Sequence, residues 1–176
     1  MKNYDYQKRL RGVWEHAVKL YEEGNRDSST YFEGEMLDFV RQIGATPQEI
    51  YDFAEDWCTS QEPDYTTFAL LADIRRYYFL NRQKGQPSGN LLDPSTLPPK
   101  DSSVRGIEWL PRIIPKAKAK LRGELDPDIM YGCGGDRNFF KTNDVHPAEF
   151  LRVVMDNEGN DAAIVDWVEG RKQGKW

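Results

Sequence analysis

Two stretches a hundred residues apart, "FVRQIGATPQEIYDFAED" (Phe39 to Asp56) and "FFKTNDVHPAEFLRVVMD" (Phe139 to Asp156), align without a gap. Pro47 matches Pro147, Glu49 matches Glu149, and the apolar positions Ile50, Phe53 and Ala54 match Phe150, Val153 and Val154. Proline is tolerated at the first helical position, where its missing N–H has no partner to lose, and the spacing of three and four that follows makes one apolar stripe. More loosely, "LRGVWEHAVKLYEEG" resembles "VRGIEWLPRIIPKAKAKLRG", and "ALLADI" resembles "AAIVDWV". A chain with this internal symmetry is expected to be an all-α, compact multi-helix bundle. It would comprise two related helical halves, each a small helical unit.

The rest of the pattern agrees. Leu10, Val13, Trp14, Ala17, Val18 and Tyr21 form the stripe of a first helix that Gly24 can end. Thr30 and Glu33 can form a capping box for a second, over about residues 31–43, with Met36, Leu37, Val40 and Ile43 inward. Thr46 caps a third, and "YTTFALLADIRRYYFLNRQKG" is a long fourth with Phe68, Leu71, Ala72, Tyr78 and Phe79 on one side. Residues 85–103, "GQPSGNLLDPSTLPPKDSS", carry four prolines and little periodicity, so they are read as a linker between an N-terminal half (1–84) and a C-terminal half (104–176). In the second half Pro111 and Pro115 are expected to confine a fifth helix mostly to residues after Pro115. Two more helices carry Phe150, Val153 and Val154, then Ile164, Trp167 and Val168, for about seven in all.

Composition excludes several classes. No apolar run approaches the ~20 residues a bilayer span needs, and the start "MKNYDYQKRLRG" has no apolar signal segment, so a cytoplasmic address is expected. Cys58 and Cys133 are far apart without metal-type spacing, which argues for thiols rather than a disulfide framework or a zinc site. The net charge of −5 makes nucleic acid an unlikely partner. No cofactor and no metal is expected.

The segment "RGIEWLPRIIPKAKAKLRGELDPDIMYGCGGDRNFF", followed by "VHPAEFLRVV", resembles the bacterial proteins grouped as domain of unknown function family 5069. Shared features are a Leu-Pro-Arg helix with a basic segment, a Gly turn containing tyrosine, an aspartate, and a short helix after a proline or alanine start. The resemblance covers Val104 to Gly170, with the first half as a divergent copy. It implies a mostly helical fold and a bacterial origin, and brings no established reaction.

Chemistry-bearing residues gather around "IMYGCGGDRNFF", Ile129 to Phe140. Cys133 sits among glycines that permit a tight turn and expose backbone N–H groups, a setting for a nucleophile or an anion cradle. Arg137 and a helix capped by Asp136 could lower its pKa, and His146 could serve as base, so Cys133, Asp136 and His146 are the catalytic candidates. The competing reading makes residues 132–135 a simple corner with a buried thiol. Arg75 falls on an apolar stripe between Leu71 and Tyr78, where a guanidinium needs a partner or a ring. Together with Arg105, Tyr131, Cys133 and Asp136 it completes the ligand-binding candidates. Arg112, Lys116 and Lys120 form a basic row, read as the wet side of an amphipathic helix, and His16 is expected to be exposed. Glu49, Asp52 and Asp56 share a helix face that could act as a cation site and are read instead as solvated or paired with basic neighbours.

The function expected from these features is a non-enzymatic module that binds a small molecule or a protein. Its alternative is a thiol-dependent enzyme or redox sensor working through Cys133. A homodimer is compatible with either, and no membrane partner is expected.

Overall fold

A computed structural model describes residues 3–175. Among them are eight α-helices and a single two-stranded sheet. The chain divides into two compact units, one ending at Pro87 and one beginning at Ser88.

The first unit contains α1 (Tyr6–Glu22), α2 (Gly34–Gln42), α3 (Pro47–Ser60) and α4 (Tyr65–Asn81). Helix α1 packs on α3 and α4. Leu10, Val13, Trp14 and Ala17 are buried there with Ile50, Phe53, Phe68 and Leu71. The Trp14 and Phe68 rings lie 4.8 Å apart and those of Phe53 and Phe68 5.3 Å apart. Aromatic pairs at such distances contribute about 0.5–1.5 kcal/mol beyond their buried area.

The expected start of the second helix is corrected. The Thr30 hydroxyl donates to Asp27 O and accepts from Asn25 within a 3₁₀ turn over Ser28–Thr30, and α2 begins only at Gly34, with Glu33 at its N-cap. Gly44 follows α2 at φ +74°, and a Cβ there would lie 2.6 Å from the Phe79 ring. His16 is half-buried rather than exposed, with Nε2 hydrogen-bonded to Tyr31 O at 2.9 Å. Arg75 is buried, and its Nη1 donates to Gln83 Oε1 at 2.7 Å while the guanidinium lies 5.1 Å from the Phe79 ring centroid.

The second unit contains a hairpin, β1 (Ser103–Val104) and β2 (Ile107–Glu108), followed by α5 (Leu110–Arg122), α6 (Gly134–Thr142), α7 (Pro147–Asp156) and α8 (Asp161–Lys172). Ser103 pairs with Glu108 and Val104 with Ile107, antiparallel. Part of the Pro-rich segment is bound into this unit: Leu92 N donates to Glu124 O, Ser88 Oγ donates to Glu124 Oε1, and Leu97 is buried. The Phe139, Phe140 and Phe150 rings meet edge-on at 5.4–5.9 Å.

Three expectations are revised here. Helix α5 begins at Leu110, ahead of both prolines: Pro111 falls in the first turn, and burial of Leu110, Ile113 and Ile114 outweighs the one bond that Pro115 forgoes. Helix α6 is the eighth helix, where the sequence reads as a corner. The basic row is not wet, because Lys116 and Lys120 are each only 3% exposed.

One spacing runs through both units. The buried positions of α1 at Leu10, Val13, Trp14, Ala17 and Tyr21 recur 100 residues later on α5 as Leu110, Ile113, Ile114, Ala117 and Leu121. Helices α2 and α6 are both nine residues long and begin 100 positions apart, and Thr46 and His146 are the N-caps of α3 and α7.

Candidate functional site

The site is built where α5 begins beside the start of α6. Gly132, at φ +98°, turns the chain; Cys133 is the N-cap; Gly134 and Gly135 open α6; and Asp136 is its third residue. Asp136 is not a cap in the expected sense. Its carboxylate reaches back and inward, fully buried at 0% exposure, to accept from Gly132 N at 2.9 Å, Lys116 Nζ at 2.6 Å and Trp109 Nε1 at 2.8 Å. The positive end of the helix dipole and three donors together hold the charge that burial would otherwise disfavour.

Trp109 is the wall that this arrangement supports. The two-residue turn Arg105–Gly106 has φ of +50° and +71°, the left-handed pair that suits a tight hairpin. Trp109 itself is at φ +69°, uncommon for so large a side chain and costing about 1–3 kcal/mol. Its indole packs against the start of α6: a Cβ on Gly135 would be 2.5 Å from Cζ2. The hairpin is fastened by Arg105, which donates to Asp166 and Glu169 of α8.

Beside the indole is an open cavity of about 300 Å³, lined by Trp109, Gly135, Asn138, Phe139, Thr142 and Asn143. Lys100, Lys172 and Glu108 stand on its rim. The volume is at the lower end of that found for small-molecule sites.

Three of the expected site residues come together. Cys133, half-buried, accepts from Lys116 Nζ at 3.4 Å, so Lys116 links Cys133 to Asp136. Tyr131 is buried, donates to Pro147 O at 2.8 Å, and has its pKa raised by burial and by the charge of Asp136. His146 is engaged elsewhere, its Nδ1 accepting from Ala148 N at 3.2 Å as the cap of α7. Arg105 belongs to the hairpin latch, and Arg75 to the first unit. Among the described residues no group of three or more His, Cys, Asp and Glu is placed to hold a metal.

Sequence reasoning missed Trp109 and undervalued Lys116 and Lys120. The available signal was position: each lysine lies three residues beyond a buried apolar residue, Ile113 or Ala117, on the flank of the stripe. Lys120 is buried one turn beyond Lys116, and loss of solvation pulls its pKa down to about 7.

Residues 98–175, which contain this whole constellation, match the model of a family described as Domain of unknown function (DUF5069). No curated protein and no solved structure matches the chain.

Proposed function

We propose that this DUF5069 unit is a binding module for a small anionic molecule held in the cavity beside Trp109. The observation that carries the reading is the fixing of Trp109: its N–H is held by a buried carboxylate, its ring rests on a glycine, and its backbone is left-handed. So costly a placement of one ring at a cavity mouth is the kind of strain that collects at ligand sites. Two lysines against one glutamate on the rim favour an anion in a chain of net charge −5. The test is a titration with carboxylates and phosphates, following thermal midpoint and the fluorescence lost in Trp109→Phe. Saturable binding that raises the midpoint supports the module by mass action. Turnover of a substrate with no such ligand found would sink it.

A second reading is favoured by one contact. Cys133 Sγ stands at the N-cap of a nine-residue helix and accepts a hydrogen bond from Lys116 Nζ at 3.4 Å, the contact on which a thiol mechanism would rest. Cys58 is the internal control, since burial raises its thiol pKa. Alkylation of Cys133 that is fast near neutral pH, with Cys58 slow, would move the function toward a thiol enzyme or redox sensor. Equal, slow alkylation of both removes that alternative. The two thiols suit a reducing compartment, which makes the cytoplasm the proposed address.

We also infer that the two units descend from one duplicated four-helix ancestor. The hundred-residue spacing of buried positions, N-caps and α2-like helices supports this. At that spacing His16 and Met36 stand where the second unit has Lys116 and Asp136, so the polar core belongs to one copy alone. Experimental coordinates in which the backbones of residues 6–60 and 106–160 fail to superpose would refute common descent.

A further inference from the structure

The first unit carries a cleft of its own, of about 450 Å³, independent of the site beside Trp109. Three aromatic side chains from three helices face it: Trp14 of α1, Trp57 near the end of α3 and Tyr65 at the start of α4. Trp14 lies deepest, with Trp57 at 6.5 Å and tilted 56° to it, and Tyr65 at 5.9 Å and 66°. Three mutually tilted aromatic rings thus line one volume, and aromatic rings are the groups that attract a cation.

The chain already shows what those faces attract. The Arg11 guanidinium sits 3.4 Å from the centroid of the Tyr65 ring, steadied by Glu15 at 4.0 Å. The charged groups around the cleft are Arg11 and Lys19 against Glu15, Glu22 and Asp64, a local excess of one negative charge. Lys19 is turned toward Glu23, 3.7 Å away. A metal ion is the wrong occupant, because among the described residues no cluster of three carboxylates, cysteines or histidines converges anywhere. An organic cation with methyl groups on nitrogen fits better: it carries a diffuse charge for the rings and apolar surface for the cleft, and it is weakly enough hydrated to leave water.

We propose that this cleft, walled by Trp14, Trp57 and Tyr65, binds a small quaternary-ammonium or methylated-amine ligand, with Arg11 as the resident cation that the ligand displaces from Tyr65. The site stands whether or not the second unit binds an anion.

The test uses the whole chain and two probes of equal shape, choline and its uncharged isostere 3,3-dimethylbutan-1-ol, followed by the indole N–H resonances of the tryptophans. Choline should shift the Trp14 and Trp57 resonances, leave that of Trp109 in place, and bind about tenfold more tightly than the alcohol, the factor expected for a partly desolvated cation–π contact. Arg11→Ala, a change at an exposed position of α1, should tighten choline binding severalfold by vacating the Tyr65 face and removing a like charge. Tyr65→Leu should weaken it. Equal affinity for the two probes would mean a merely apolar groove and would overturn the proposal. So would shifts confined to Trp109, no choline binding at all, or an Arg11→Ala variant with unchanged affinity.

Discussion

Lys116 Nζ lies 2.6 Å from Asp136 Oδ2, and this buried ion pair ties α5 to the first turn of α6. A buried pair of this kind is weak evidence for net stability, because both ions were costly to desolvate. Its value is positional: the same carboxylate fixes Trp109 and the Gly132 turn.

Breaking the pair from one side is therefore expected to cost more than removing it. Asp136→Leu strands an ammonium and two N–H donors and should lose about 3–5 kcal/mol. Adding Lys116→Met to Asp136→Leu should recover part of that loss, a non-additive cycle read by urea denaturation of the four proteins.

Two neighbouring glycines should respond in opposite ways. An added methyl at Gly134 meets only the end of Arg137, at 3.8 Å, and Gly134→Ala should be neutral or stabilising by up to about 1 kcal/mol through helix propensity. At Gly135 the methyl would collide with the Trp109 ring, and Gly135→Ala should destabilise by about 1–3 kcal/mol and shift the Trp109 fluorescence. Thermal unfolding with near-ultraviolet circular dichroism distinguishes the two.

Lys120 predicts a pH slope. Its folded pKa of about 7 is below the ordinary 10.5, so between those values the unfolded chain binds the extra proton. Stability from this group should then rise with pH across that window, by up to ~1.4 kcal/mol per pH unit, and be flat below it. Subtracting the profile of Lys120→Met from that of the parent isolates this contribution. A difference that falls from pH 7 to 10 would contradict the assignment.

Capping should be measurable in the first unit. The Thr46 hydroxyl accepts from Glu49 N at 3.1 Å, and Thr46→Ala should lower stability by about 1 kcal/mol. A chemical-denaturation midpoint moved by that amount, with unchanged slope, is the expected reading.

These particulars explain what could be read beforehand. Helices α1, α3 and α4 are legible because their apolar spacing is local, and Thr46 and Pro47 announce α3 without reference to anything distant. Helix α6 is not, since Gly134 and Gly135 look like a turn and only the packing of the Trp109 ring on Gly135 explains them. Lys116 was read as a solvated residue because its partner lies 20 positions away, and no local pattern says that a carboxylate will meet it in the interior. Arg75 is legible as a guanidinium needing a partner or a ring, but no local pattern points to Gln83, just past the end of α4, as one of those that receive it.

The hairpin turn at Arg105 and Gly106 leaves no slack between the Pro-rich stretch and the indole. One residue inserted there would exchange the inward and outward faces of β2 and carry the ring away from its carboxylate. Evolutionary changes in chain length should accordingly accumulate at the exposed Gln86 and Pro87, upstream of the Ser88 and Leu92 anchors, where an extra residue bulges into water and disturbs nothing that the cavity depends on.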